Sequence, residues 1–104
     1  MNLEAWNRWW KQDGTSELRE LVMREWDPIG VAHVPEAADE YDSYLWPLAL
    51  SLRAGASAPE ITERLAVIRA QMIGLRADEA TEMRVAELIV DWYRRSTARF
   101  EATQ

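Results

Sequence analysis

Apolar residues recur along this chain at steps of three and four, a spacing that predicts helices, and strands are hard to find. Leu3, Trp6 and Trp10, with Trp9 alongside, define a first stretch from Leu3 to Lys11, which the turn signal Asp13-Gly14 ends. So short a helix needs tertiary support. Thr15 or Ser16 is a competent cap for a second stretch, in which Leu18, Leu21, Val22 and Trp26 share one face. Pro28 disfavours a helical Asp27 and Gly30 allows a turn, so residues 27 to 36 read as a loop. A third stretch begins near Asp39, carries Tyr41, Tyr44, Leu45, Leu48 and Leu52 on one side, and finishes at Ala54-Gly55. Pro47 is awkward there, because a helix starting at Asp39 or Glu40 would place it beyond the first turn; a kink or a later start follows.

Ser57-Ala58-Pro59-Glu60 is a capping box, in which serine accepts from the glutamate amide and the glutamate reaches back. Ile61, Leu65, Ile68 and Met72 continue that helix and Gly74 closes it. A last, long helix runs from Asp78 toward Phe100 with Val85, Leu88, Ile89, Trp92 and Phe100 as its stripe. Asp78, Glu79 and Glu82 at its start and Arg94, Arg95 and Arg99 near its end suit the helix dipole, and residues 101 to 104 are expected to fray. The expected fold is all-α: one domain over residues 1 to 104, a compact bundle of four to five helices with a long C-terminal helix.

Charge changes this picture at one place. The formal net charge is -6, and residues 25 to 42 hold Glu25, Asp27, Glu36, Asp39, Glu40 and Asp42 without a lysine or arginine among them. The surplus of the whole chain therefore lies in one segment. A negative balance argues against phosphate-backbone binding, so nucleic acid is not an expected partner. No apolar run approaches the roughly 20 residues of a membrane helix. The N-terminus, with a glutamate and tryptophans, lacks the pattern of an export signal, and the chain reads as cytoplasmic. With no cysteine, disulfides, thiolate metal sites and a cysteine nucleophile are all excluded.

Candidate chemistry is sparse. His33 is the only histidine, and a zinc site built on it would need carboxylates for every other ligand. Asp39-Glu40-Tyr41-Asp42 places carboxylates close together but lacks the ligand order of a calcium loop; acids at a helix start need no other explanation. No serine sits in a nucleophile motif, and the four glycines are scattered singly, so no phosphate cradle forms. We expect no catalytic residue, no metal and no cofactor. Six tryptophans are a surplus for this length. Core packing accounts for Trp26, Trp46 and Trp92, whereas Trp6, Trp9 and Trp10 cannot all face one core from one short helix. An exposed binding anchor or a homodimer seam is a use for the remainder.

The segments Trp26-Asp27-Pro28-Ile29-Gly30-Val31, Asp39-Glu40-Tyr41-Asp42-Ser43-Tyr44, Leu52-Arg53-Ala54-Gly55-Ala56-Ser57 and Met72-Ile73-Gly74-Leu75 resemble a family of small bacterial proteins, a domain of unknown function. The resemblance spans about residues 18 to 75. It implies a compact helical fold in which Trp26, Asp27, Pro28 and Gly30 form the turn between two helices, and it brings no catalytic residues. Small acidic bacterial proteins of this type often serve as immunity partners of secreted toxins. The leading expectation is therefore a binding module in which Glu36, Asp39, Glu40 and Asp42 supply charge, and Tyr41 or Tyr44 an aromatic anchor, against a basic surface such as a nuclease toxin's cleft. Two other readings stand beside it. The acids can be a solvated loop and a favourably charged helix start, or Asp39, Asp42 and His33 can serve a small metal-binding protein or enzyme.

Overall fold

Most residues of the predicted apolar stripes turn inward on helices in the computed structural model, which describes residues 1–73 and 78–103, but Leu3 of the first stripe is exposed. No described residue is in a strand. The elements are α1 (Leu3–Trp9), a π-helical turn (Trp10–Gly14), α2 (Thr15–Glu25), a 3-10 turn (Pro35–Ala37), α3 (Asp42–Arg53), α4 (Ala58–Ile73) and α5 (Glu79–Ala102). This is an all-α bundle with a long C-terminal helix, and its radius of gyration, 13.6 Å, is close to the roughly 13 Å expected for a folded chain of about a hundred residues. No described helix is long and apolar enough to cross a membrane.

Asp13-Gly14 does not make the predicted turn. Helix runs on without a break from Leu3 to Glu25, through a π-turn in which the Thr15 amide donates to the Trp10 carbonyl. Thr15 and Ser16 consequently cap nothing; their hydroxyls donate back to the carbonyls of Trp10 (2.8 Å) and Asp13 (3.2 Å). The reason lies in the tryptophans. A Cβ on Gly14 would meet Trp10 Cε3 at 2.8 Å and Trp9 Cη2 at 2.9 Å, so this position is glycine to admit two indole rings, with an ordinary helical φ of −60°. The wider π-turn adds one residue to the turn that carries Trp10.

Three further expectations shift. Helix α3 begins at Asp42 rather than near Asp39, because the chain first makes a 3-10 turn at Pro35–Ala37, and Tyr41 is the residue before the helix. The late start leaves Pro47 inside α3 all the same. Leu88, placed in the apolar stripe of α5, is exposed, and Val85, Ala86 and Ile89 fill the buried positions around it. Trp46, assigned to the core, is 42% exposed. The capping box forms: Ser57 Oγ accepts from the Glu60 amide at 3.4 Å, and Glu60 Oε1 accepts from the Ser57 amide at 3.4 Å. Gly55 ends α3 at φ +92°, which other residues resist. The closing of α4 at Gly74 and the Met72 side chain lie outside what is described.

The main core joins Leu18 and Val22 of α2, Leu45 and Leu48 of α3, Leu65 of α4 and Ile89 of α5. A second cluster packs Trp6, Trp9, Ala49 and Phe100. Helix α2 runs antiparallel to α5, since Glu17 meets Ser96 while Glu25 meets Arg84.

Candidate protein-binding surface

The surface of interest starts where α2 stops. Asp27 takes φ +37°, a left-handed conformation that aspartate tolerates better than most side chains, and Gly30 follows at φ +68°. The reversal aims the Asp27 carboxylate into its own loop. Oδ1 accepts from the Val31 amide (2.8 Å) and the Tyr41 hydroxyl (2.7 Å), and Oδ2 accepts from the Ala32 amide (2.9 Å). The Tyr41 oxygen accepts in turn from the Ile29 amide at 3.2 Å. Burial would push the Asp27 carboxyl up, but the hydrogen bonds from Tyr41, Val31 and Ala32, with His33 nearby, hold it below the usual carboxylate range. The Tyr41 phenol is pushed well above its ordinary value by burial and by Asp27 beside it. In this way Trp26-Asp27-Pro28-Ile29-Gly30-Val31 builds a loop fastened from within.

The clasp removes one proposed anchor from the surface. Tyr41 is 2% exposed and packs its ring against Trp26, 5.9 Å between centroids. Asp42 is spoken for as well: the Arg19 guanidinium donates to both its oxygens, from Nε at 2.9 Å and from Nη2 at 2.7 Å. That bidentate pair raises the Arg19 pKa. Glu25 faces Arg84 at 3.4 Å and Arg24 at 3.7 Å. Of the six acids between residues 25 and 42, half thus have partners within the chain.

Glu36, Asp39 and Glu40 are different. All three are exposed, on the 3-10 turn and the turn after it, and their carboxylates enter no hydrogen bond or ion pair among the described residues. Glu36 and Asp39 border a shallow recess of about 470 Å³ with Arg19, Pro35, Ala38 and Asp42. Tyr44 is half-buried and belongs elsewhere, lining a groove of about 460 Å³ between α3 and α4 with Pro47, Val67 and Ile68. Glu36, Asp39, Glu40, Tyr41, Asp42 and Tyr44, close in sequence, are therefore divided among a core, an ion pair, a second groove and one acidic edge. His33 is exposed near Asp27, and among the described residues no three of His, Cys, Asp and Glu converge on a point where a metal ion could sit.

Two networks elsewhere escaped the sequence reading. Glu82, placed at the start of α5 for its charge, is fully buried. Its Oε1 accepts from Arg69 Nε (3.0 Å) and the Asp78 amide (2.9 Å), and its Oε2 from Arg69 Nη2 (2.8 Å) and Trp26 Nε1 (3.0 Å). Glu17 is a second hub. Its Oε1 accepts from Trp92 Nε1 (2.9 Å) and Ser96 Oγ (2.7 Å), its Oε2 from Arg99 Nη2 (2.7 Å), and Ser96 Oγ accepts from Trp9 Nε1 (2.9 Å). Burial opposes ionisation of Glu17, but the bonds from Ser96, Trp92 and Arg99 prevail and lower its pKa. A signal existed for the first. Arg69 lies four residues after Leu65 and Glu82 three before Val85, each a charge on an otherwise apolar stripe.

The tryptophans mostly serve the interior. Trp6 and Trp9 are buried, with Trp6 Nε1 donating to the Tyr93 hydroxyl at 2.8 Å and the Arg53 guanidinium 5.4 Å above the Trp6 ring. Trp10 is half-buried, stacked 6.3 Å from Trp6, and Trp46 lies across both. Compared with family models, curated proteins and solved structures, the chain matches none.

Proposed function

We propose that this chain is a non-catalytic protein-binding module that presents Glu36, Asp39 and Glu40 to a basic surface on another protein, and that an immunity protein masking a toxin's positive cleft is the setting such a surface suits. The observation that carries the reading is a contrast within one segment. Glu25 and Asp42 are paired with arginines and Asp27 is spent on the amides of its own loop and the Tyr41 hydroxyl, while the three acids on the outer turns face water on a loop clasped by Asp27 and Tyr41. Negative charge concentrated on a held surface steers a positive partner into contact and fixes its orientation. Occlusion asks for no chemistry from the binder. The cysteine-free sequence suits a reducing compartment such as the cytoplasm.

Co-expression with the product of the neighbouring reading frame tests it. Glu36→Lys, Asp39→Lys and Glu40→Lys together abolish capture of that product and any protection against it, while far-ultraviolet circular dichroism stays unchanged. Capture that survives the triple reversal overturns the proposal.

A further inference from the structure

The acidic edge is continuous with an apolar groove. Between α2 and the segment 31–38 runs a depression of about 270 Å³ whose lining is largely apolar, from Met23, Val31, Val34, Pro35 and Ala38. Val34 is 43% exposed there, a β-branched apolar side chain held in water by a loop whose shape Asp27 dictates. Arg19, Pro35 and Ala38 line both this groove and the acidic recess beside it, so the two share one wall. Arg19 does not make that wall positive, because Asp42 matches its charge through two short hydrogen bonds. Glu20, which also lines the groove, is 3.3 Å from Arg24. Asp39 also lies within electrostatic reach of Arg19, so the wall sets one guanidinium against the carboxylates of Asp42, Asp39 and Glu36 and stays negative in balance.

An apolar trough that opens onto a recess with surplus negative charge selects its occupant by charge. We infer that the groove and the recess together dock a linear basic segment of the partner, with one aliphatic side chain of that segment against Met23, Val31 and Val34 and a lysine or arginine a few residues along it reaching Glu36 and Asp39. This rests on the acidic-surface reading and adds to it an apolar contact that steering by charge does not need. The aliphatic contact slows departure, whereas the charges speed arrival. Acidic segments are repelled from the same place, and basic segments without an aliphatic residue bind more weakly because they gain nothing from the trough's apolar lining.

Titration of the isotopically labelled full chain with an acetylated, amidated peptide Gly-Leu-Ala-Arg-Lys-Gly tests the inference by nuclear magnetic resonance. The amides of Val31, Val34, Glu36 and Ala38 shift on binding. Replacing the peptide's leucine by serine, or Val34→Ser in the protein, weakens binding about ten-fold, as loss of a buried aliphatic contact does. Replacing its arginine and lysine by glutamine abolishes binding. Absence of shifts at millimolar peptide, shifts confined to other elements, or equal affinity for the serine peptide would each overturn the docking groove. Equal affinity for the serine peptide with the charge dependence intact leaves the acidic surface standing. A response that survives the glutamine peptide and Glu36→Gln with Asp39→Asn sinks the acidic surface itself.

Discussion

At one end of α2 the Trp26 indole donates to Glu82; nine residues back along the same helix, about 14 Å of rise, Glu17 accepts from the Trp92 indole. Both carboxylates accept from a tryptophan and an arginine, and both tie α2 to α5. They differ in water. Glu82 is sealed, with Arg69 only 11% exposed, whereas the Glu17 side chain is 32% exposed and its Arg99 is 58% exposed. A sealed pair adds little net stability over an apolar pair of the same shape, yet its loss is severe, because one charge is left buried without a partner. An open hub is weaker, and solvent replaces whatever is removed.

Arg69→Met is therefore the most damaging change expected, at about 3–5 kcal/mol by urea denaturation, since it strands the Glu82 carboxylate. Adding Glu82→Leu should recover much of that loss; a double variant as unstable as the single one would show that the network does more than balance charge. Gly14→Ala comes next, at about 2 kcal/mol, because the methyl group must displace Trp9 and Trp10 and overpacking outweighs the gain in helix propensity. A stabilised Gly14→Ala variant would contradict the account of the π-turn.

At the open end, Glu17→Gln should cost about 1–2 kcal/mol, the value of hydrogen bonds made to a charged group at a partly wet site. Its effect should also depend on pH. The folded pKa of Glu17 lies below its ordinary value of 4.5, and that of Asp27 below 3.8, so the unfolded chain binds these protons more readily. The stability they contribute is full above those ordinary values and is lost as pH falls through the folded ones, so the urea midpoint should hold down to about pH 5 and then drop. Glu17→Gln should flatten part of that drop; an unchanged acid limb would refute the assignment. The smallest effect is expected at the acidic edge, where Glu36→Gln, Asp39→Asn and Glu40→Gln together should move stability by no more than about 0.5 kcal/mol. A larger loss would mean that those side chains serve the fold.

How far the sequence could be read follows from which signals are local. Capping at Ser57, the end of α3 at Gly55 and the stripe through Ile61, Leu65 and Ile68 depend on neighbours within a turn or two, and each was legible. Asp13-Gly14 was misread because its glycine answers to the Trp9 and Trp10 rings rather than to the backbone. Tyr41 and Asp42 looked like surface because their partners, Asp27 and Arg19, lie 14 and 23 residues away. The acidic segment was visible as a count of charges. Which of those charges are spent on the fold was not, since that is settled by contacts between helices.

The clasp of Asp27 on the amides of Val31 and Ala32 bears on thermodynamics beyond the fold. A loop already tied in one shape has little conformational entropy left to surrender when a partner arrives, so association through its outer edge is preorganised. Asp27→Asn, by loosening the loop, would then show up as a less favourable entropy of binding with the acidic side chains themselves untouched.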